Sequence, residues 1–406
     1  MSTTPLAGLK VLDLSKVLAG PMCAQYLGDM GASVIKIETP DFGDETRYMP
    51  PFMRDATGVD TGAIFLSVNR NKQSLAVDAQ SDAGRDLVLR LADQSDVVIE
   101  SFGPGVSKRL GIDGATMRAR NAALIHCSIS GFGSVGPMRE GKGYDVILQA
   151  FCGMMSITGD PDGPPVRCPF SPVDQATGLH ALIGILALLH ERTSTGIGGT
   201  IEASLFDTGA AFMSYTLQSY WLRGIEPKRS ATGHESLCPY QAFDTADKPI
   251  MLGVANDGLW RRFCNITDLD HIVSDPRFSS NAARVANRAD TVAIVGQVLV
   301  RHGRDHWLDA LDKAGIPSGP IHSIAEFAAH PHLAASGMIS EQDDIRFGTQ
   351  QNIAQPLRFD GNRTAQRLPP PSHGADGRAV LAAAGFSGDE IEALGAAGVI
   401  KLPQTP

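Results

Sequence analysis

Asp174 is the residue whose position most needs a chemical explanation. It lies in RCPFSPVDQATG (residues 167–178), between a proline-containing loop and an apolar segment that ends near His190. A carboxylate in such surroundings is costly to bury unless it is hydrogen-bonded. The local pattern leaves two explanations open: Asp174 caps the N-terminus of a helix, where aspartate is favoured, or its negative charge takes part in chemistry.

The first half of the chain alternates short apolar β-type runs with helical segments, and this alternation would position Asp174. The pattern predicts strands at residues 11–14, 33–38, 75–78, 96–100 and 124–129, and helices at residues 21–30 and 82–91. Such alternation favours an α/β fold in which helices cover both faces of a mainly parallel, Rossmann-like sheet. No GxGxxG motif opens the first helix, so we do not expect NAD.

The pattern changes after about residue 225. A β-hairpin is predicted at residues 240–254, and helical patterns and a closing loop follow at residues 259–264, 292–299, 306–314 and 315–321. We therefore predict a large domain that includes residues 1–224 and a smaller α+β domain at residues 225–325. Residues 326–406 are looser, with a proline break at 369–371 and two short helices at 377–384 and 387–394.

The composition narrows the classes of ligand and partner. With 43% hydrophobic residues the chain can build ample core, and its net charge of −9 argues against nucleic acid as a partner. No cysteine pair has CxxC spacing, so we expect reduced thiols and no metal site. The N-terminal residues do not have the pattern of a signal peptide. The apolar run at 179–189 is short for a bilayer span, so we predict a buried core helix, a cytoplasmic location and no membrane partner.

Several stretches, in order along nearly the whole chain, resemble the class III coenzyme A transferases of the carnitine/bile-acid type. They are LDLSKVLAGP (12–21), LGDMGASVIKIE (27–38), GDETR (43–47), NRNK (69–72), DVVIESFGPG (96–105), SGFGSVGP (130–137), GYD (143–145), VDQATG (173–178) and GPI (319–321). No single stretch is decisive, and the resemblance rests on their number and order.

The resemblance implies both architecture and chemistry. It implies a large CoA-binding domain to which residues 326–406 return, a small domain between, and an interlocked homodimer. It also implies that Asp174 is a nucleophile. An aspartate with its ordinary pKa of about 3.9 is ionised at neutral pH without a base, and covalent catalysis divides a difficult step into two. Asp174 would form an acyl anhydride and then an aspartyl-CoA thioester, with acyl-CoA and a carboxylic acid as substrates and no tightly bound cofactor.

By the same resemblance, eight residues are candidates for holding CoA. Three are cations for its phosphates and five shape the nucleotide slot: Lys72, Arg109 and Lys142; Leu18, Ala19, Asn69, Asn71 and Phe102. Solvated surface charge remains an alternative for Lys72 and Arg109, and ordinary core packing for Phe102. Thr39 departs from the family, because many relatives carry arginine there. Arg47 is a candidate substitute.

The family also contains alpha-methylacyl-CoA racemases, which pair a histidine with an aspartate as acid and base. Tyr144 occupies the position of that histidine, and tyrosine, with a pKa near 10, is a poor base at neutral pH. His126 lies in a strand-like run and is expected to be a core residue. Transfer is therefore favoured, with a racemase or a non-catalytic acyl-CoA binder as alternatives.

The acceptor acid is predicted to be dicarboxylic and the donor succinyl-CoA, since residues 233–243 resemble members that use them. A second carboxylate needs a cation or another donor. Arg167 and His234 are candidates, although Arg167 could instead hold a loop together. Gly233 lies where relatives place an active-site loop, and Tyr144 is a further substrate-binding candidate.

Overall fold

The computed structural model describes residues 4–56 and 58–402, which form two compact units. One unit comprises the described residues up to 152, residues 168–218 and residues 332–402. The other comprises residues 153–167 and 219–331. The short segment 153–167 belongs with the second unit, although nothing in the sequence pattern separates it. The outermost residues of the predicted domain ranges, 1–3 and 403–406, lie outside the described part.

The strands, in chain order, fall into four sheets. They are β1 (Lys10–Leu14), β2 (Ser33–Glu38), β3 (Phe52–Arg54), β4 (Asp60–Gly62), β5 (Lys72–Val77), β6 (Val97–Glu100), β7 (Ile125–Ser130), β8 (Thr200–Ser204), β9 (Tyr240–Phe243), β10 (Ile250–Gly253), β11 (Ser318–Pro320), β12 (Ile339–Asp344), β13 (Gly348–Ile353) and β14 (Ile400–Lys401).

The helices are mostly short, and one of them has 24 residues. They are α1 (Ala19–Asp29), α2 (Ala63–Val68), α3 (Asp82–Asp93), α4 (Val106–Leu110), α5 (Gly114–Arg120), α6 (Asp145–Phe151), α7 (Met154–Ile157), α8 (Pro172–Thr195), α9 (Leu205–Phe212), α10 (Ser214–Arg223), α11 (Asp257–Ile266), α12 (Asn281–Ala286), α13 (Arg288–Leu299), α14 (Arg304–Lys313), α15 (Ile324–Ala328), α16 (Pro331–Ala335), α17 (Gly377–Ala383) and α18 (Gly388–Ala396), with 3₁₀ turns at Glu45–Tyr48 and Asp270–Ile272.

A seven-stranded sheet is the centre of the first unit, in the order β14-β5-β2-β1-β6-β7-β8. All its pairings are parallel except that of β14 with β5. The inner strands are mostly buried on both faces, which is typical of a sheet that helices cover on both sides and confirms the predicted mixed α/β fold with a mainly parallel sheet. Ligands of open parallel sheets bind beyond the carboxyl ends of the strands, so that edge is where a site is expected.

The second unit contains a three-stranded antiparallel sheet in the order β11-β10-β9. The predicted hairpin is present, with Ile250 opposite Phe243. The loop predicted at residues 315–321 contributes the third strand. The apolar sides of α11, α13 and α14 form a separate core that includes Trp260, Phe263 and Trp307.

Helix α8 differs from the predicted buried core helix. It begins at Pro172 and runs to Thr195, well beyond the apolar run at 179–189, and only 33% of its most apolar 18-residue window is buried. By length and composition alone it is apolar enough to cross a membrane, a property that core helices of soluble proteins share. Ile183 is 63% exposed and Leu179 is 40% exposed, so the described residues leave an apolar side of α8 open to solvent.

The polar segment at residues 69–72 is part of the interior. The Lys72 ammonium lies 2.9 Å from the Asp13 carboxylate and also donates to Asn69 Oδ1 at 2.9 Å. Asn71 Oδ1 accepts two backbone N–H groups from late in the chain, at 2.7 and 2.9 Å. Removing one partner of a buried ion pair typically costs about 3–5 kcal/mol, so this segment anchors the sheet.

Candidate active site

A cavity of about 500 Å³ opens at the carboxyl end of the central sheet. Its walls come from the turn after β1, the start of α1, the segment after β6, the loop between β7 and α6, and the first turn of α8. The residues that line it are Lys16, Val17, Leu18, Ala19, Gly20, Glu45, Ser101, Phe102, Gly103, Pro104, Val106, Ile129, Ser130, Gly131, Glu140, Gly141, Lys142, Gly143, Tyr144, Asp174 and Leu205.

Asp174 is the third residue of α8, not its N-cap. The N-cap is Ser171, whose left-handed backbone (φ 54°, ψ 59°) comes with no side-chain cap hydrogen bond, and Pro172 occupies the first helical position. The Asp145 carboxylate caps the helix from outside, because Oδ2 accepts the N–H of Val173 at 2.8 Å and that of Asp174 at 3.1 Å. The Asp174 carboxylate is therefore not used as the cap and is available to the cavity.

The surroundings of Asp174 alter its acidity. Burial, together with the negative charge of Asp145, raises the pKa of Asp174 to about 7. The expectation that Asp174 has an ordinary aspartate pKa is therefore wrong, because the folded protein holds the proton of this carboxyl to a higher pH. A carboxylate with a higher pKa is also more basic, which makes the ionised form a better nucleophile.

Two close approaches of the backbone build the cavity. A Cβ atom at Gly178, one turn beyond Asp174, would lie 2.5 Å from the carbonyl oxygen of Ala19, so glycine is required where α1 meets α8. Gly131 and Gly143 face each other in the same way, since a Cβ on Gly131 would lie 2.6 Å from the Gly143 backbone nitrogen. The loop that carries Tyr144 is thereby held against the end of β7.

A second cavity of about 490 Å³ adjoins the first, with Lys16, Phe102 and Val106 lining both. It lies beyond the carboxyl ends of β1, β2 and β5, where mononucleotides bind in Rossmann-like sheets, and Thr39 is in its wall. The two cavities share part of their walls and together form one groove in the first unit, long enough for an extended ligand.

Five of the predicted binding residues lie in the first cavity with Asp174: Leu18, Ala19, Phe102, Lys142 and Tyr144. Arg109 is exposed on α4, the short helix whose residues Val106 and Leu110 line the second cavity. These residues remain predictions as contacts of a bound molecule, but their positions fit that role.

Three other predicted CoA-binding residues do not line either cavity. Asn69, Asn71 and Lys72 are at most 2% exposed, and their polar groups are bonded within the core. A buried, ion-paired ammonium cannot reach a phosphate without disrupting the sheet, so we no longer assign these residues to the nucleotide. A run of polar residues after a helix does not show whether its side chains contact a ligand or hydrogen-bond to one another in the core.

Arg47 does not replace the missing cation at Thr39. Its guanidinium forms a bidentate pair with Glu38 at 2.8 and 2.7 Å, donates to the carbonyl of Pro371 and lies 3.6 Å above the Phe65 ring. The arginine is 6% exposed and is part of the core.

The predicted acceptor-binding residues belong to the second unit. Arg167 and His234 are exposed there. The Gly233 N–H donates to the carbonyl of Ser230 at 2.7 Å, and the His234 N–H donates to that of Tyr240 at 3.1 Å. Their roles stay predictions.

Sequence reasoning missed one residue of the first cavity and one buried charge outside its wall. Lys16 lies in its wall with a side chain that is 57% exposed and an ammonium 3.5 Å from Glu45. The charge of Asp145, which lies outside the cavity wall, was not predicted either. An aspartate at the start of an apolar helical run was the available clue.

Asp174→Asn should change stability in a pH-dependent way. A pKa raised from 3.8 to about 7 means that the folded protein loses stability as pH rises through that window, because it binds a proton that the unfolded chain has released. The melting temperature of Asp174→Asn should therefore equal that of the wild type near pH 4 and exceed it by a growing margin up to about pH 7. Above pH 7 the difference between the two melting temperatures should stay constant.

The matched control is Asp113→Asn, since Asp113 caps α5. Burial acts to raise the pKa of the Asp113 carboxyl, but the hydrogen bonds that it accepts from Thr116 and neighbouring amides outweigh burial and lower this pKa. This variant should be less stable than the wild type at pH 7, and the gap should close only below about pH 4. A lead of Asp174→Asn that does not change between pH 4 and pH 8 would contradict the raised pKa.

Comparison with known proteins gives the family. Residues 6–377 match CoA-transferase family III. The succinate–glutarate CoA-transferase of Agrobacterium fabrum is 39% identical over 336 residues, which cover 82% of this chain and 84% of the relative. The succinyl-CoA:glutarate CoA-transferase of Mus musculus is 35% identical over 406 residues, which cover 100% of this chain and 92% of the relative. The crystal structure of a CAIB/BAIF family protein from Brucella suis matches with a TM-score of 0.84 at 36% identity, covering 94% of this chain and 100% of that one. The chain belongs to family III of the CoA-transferases.

Proposed function

We propose that this enzyme transfers CoA from succinyl-CoA to a dicarboxylic acid through a covalent intermediate on Asp174. The observation that carries the proposal is the Asp174 carboxylate, uncommitted to capping, in the wall of a cavity at the carboxyl end of the sheet. The relatives from Agrobacterium fabrum and Mus musculus carry names that pair succinate or succinyl-CoA with glutarate, a second dicarboxylate.

The first half of the reaction loads CoA onto the enzyme. An Asp174 oxygen attacks the thioester carbon, the C–S bond breaks, and a mixed anhydride and CoA thiolate result. The thiolate then attacks the Asp174 carbonyl carbon, which releases the donor acid as its carboxylate and leaves an aspartyl-CoA thioester.

The second half reverses these steps on the acceptor. The acceptor carboxylate attacks the aspartyl thioester carbon and expels CoA thiolate, and the thiolate attacks the acceptor carbon of the new anhydride. Asp174 leaves as a free carboxylate. Each step exchanges one carboxylate for one thiolate, so no proton is transferred overall and no general base is needed.

Each attack creates an oxyanion that needs fixed N–H donors. The first four N–H groups of a helix have no acceptor within that helix, and α1 begins at Ala19 and Gly20, both of which line the cavity. We propose these two amides as oxyanion donors. The positive end of the α1 dipole adds to the stabilisation.

CoA would lie along the two adjoining cavities, with its adenosine end beyond the strands and its thioester at Asp174. The protein has a net charge of −9, so the phosphates of CoA need local cations. Lys16 lines both cavities and Lys142 lines the first, which supports these two ammonium groups as phosphate contacts. Arg109, on the helix beside the second cavity, would meet a phosphate at the adenosine end. Arg167 and His234 remain proposals for the distal carboxylate of the acceptor.

Racemisation fits this site less well. Among the described residues that line the cavity there is no histidine, and Tyr144 stands at the start of α6 where a histidine would be needed. His126 is buried in β7, and burial lowers its pKa to about 4. A non-catalytic acyl-CoA binder would not need an aspartate in the cavity wall whose carboxylate does not cap the helix.

We also propose the interlocked homodimer. The first unit leaves a group of large apolar side chains exposed, which is typical of an interaction surface. They are Val146, Ile147, Leu179, Ile183, Phe212 and Tyr215.

Asp174→Ala should abolish the exchange of labelled succinate into succinyl-CoA, with a loss on the order of 10³-fold or more, because the covalent route disappears. Hydroxylamine added during turnover should convert Asp174 of the wild type to a hydroxamate, detected by peptide mass spectrometry. Asp113→Ala, which removes a carboxylate that caps a different helix, should retain exchange. Wild-type exchange by Asp174→Ala would rule out the mechanism.

Lys16→Ala and Lys142→Ala should each raise KM for succinyl-CoA by about tenfold with little change in kcat, because they remove contacts made equally in the ground and transition states. Lys10→Ala, at the opposite end of β1, is the matched control and should leave KM unchanged. If both cavity variants behave like Lys10→Ala, the phosphates lie elsewhere.

Light scattering should give twice the chain mass of 43.0 kDa. Ile183→Glu should reduce the measured mass to that of one chain, because an unpaired charge is costly to bury in an apolar contact. Ile345→Glu, at a fully exposed isoleucine outside this surface, should not. A wild type of single-chain mass would refute the dimer.

A further inference from the structure

We propose that Asp145 and Gln149 form a positioning pair that fixes the first turn of α8 and sets the reactivity of Asp174 through the charge that Asp145 places beside it. The inference rests on the proposed function, because it explains how the nucleophile of that reaction is held and tuned. Neither side chain lines the cavity, so neither is a catalytic residue.

The first step of the argument is the contact between α6 and α8. Asp145 is the first residue of α6, is 6% exposed, and accepts two N–H groups from the first turn of α8. Because Ser171 has a left-handed backbone and gives no side-chain cap, Asp145 takes over the role of an N-cap from a different helix. The direction in which Asp174 points therefore depends on Asp145.

Gln149 holds Asp145 in place. It lies one turn further along α6, is 1% exposed, and its Nε2 donates to Asp145 Oδ1. The same side-chain amide brackets the backbone of Cys168, with Nε2 3.1 Å from the carbonyl oxygen and Oε1 accepting the N–H at 2.8 Å. One buried amide thus ties α6 to the segment that leads into α8.

The second step concerns charge. Asp145 faces Asp174 from α6, and the other charged or titratable groups around it line the cavity: Glu140, Lys142 and Tyr144 from the loop before α6, Lys16 from the turn after β1, and Glu45 from the 3₁₀ turn. Asp145 is buried, whereas none of these other groups is. Its charge is therefore the least screened by solvent, and it is the charge that adds to burial in raising the pKa of Asp174.

The arrangement suits a carboxylate that must act in both directions. A more basic carboxylate attacks the thioester faster, whereas a very basic one would be a poor leaving group from the anhydride. Asp145 takes the helix amides for itself and leaves Asp174 with neither those hydrogen bonds nor their stabilisation of its anion. Asp174 is thus balanced between the two requirements near neutral pH.

Asp145→Asn removes the charge and keeps one oxygen for the two N–H groups, but its NH₂ group then faces Nε2 of Gln149, which is also a donor. Its melting temperature should therefore fall, though less than that of Asp145→Ala. In the Asp145→Asn background, the difference in melting temperature that Asp174→Asn produces should reach its plateau about 1 pH unit lower than in the wild-type background. The acidic limb of kcat for succinate exchange should move to lower pH by the same amount. Asp113→Asn should leave both where they are.

Asp145→Ala removes cap and charge and should lose stability as well as activity, and the asparagine should restore part of the stability but not the pH profile. Gln149→Met keeps the length of the side chain and removes its amide. It should lower kcat several-fold without raising KM for succinyl-CoA, and this measurement remains decisive if the Asp145 variants do not fold.

The inference is wrong if Asp145→Asn leaves both pH midpoints unchanged, or if Gln149→Met turns over like the wild type. The stability measurement needs no turnover. If it shifts in Asp145→Asn while the wild-type enzyme shows no exchange with any dicarboxylate, the positioning pair stands and the proposed function fails.

Discussion

The contact between α1 and α8 is the constraint on which the site depends. Glycine at position 178 lets the carbonyl of Ala19 approach to a distance that any side chain would prevent. This contact brings the N-terminus of α1, the N-terminus of α8 and the carboxyl ends of β1, β6 and β7 around one cavity. Helix N-termini attract negative charge, so the backbone favours an anion in this cavity although the chain is acidic, and the lysines in the cavity wall add to this effect.

Much of the fold could be predicted because burial leaves a strong mark on strands. The inner strands of the central sheet were located within a few residues, since their apolar runs are covered on both faces. The hairpin β12–β13 was missed because its sequence is polar, with glutamine and aspartate where apolar residues mark a strand. Helix α1 was expected to begin at Pro21, whereas it begins at Ala19, because proline is also tolerated elsewhere in the first turn.

The candidate site could be predicted only in part, for a reason that concerns polar residues. Sequence shows that a group is polar but not whether solvent or another buried group satisfies it. Lys72 and Lys142 looked equivalent as phosphate ligands, yet one is ion-paired in the core and the other is exposed in the cavity wall. The acidity of Asp174 likewise depends on Asp145, which comes close only after two helices have packed.

Strand β14 gives the first unit a particular folding problem. It pairs with β5 although the whole second unit and much of the first lie between them in sequence, and the Asp376 carboxylate accepts the Ser74 N–H of β5. Pairings of such large sequence separation require a long loop to close before they contribute, which slows folding. The contacts of residues 219–331 are more local, so this unit can fold early and shorten the effective loop that β14 must close.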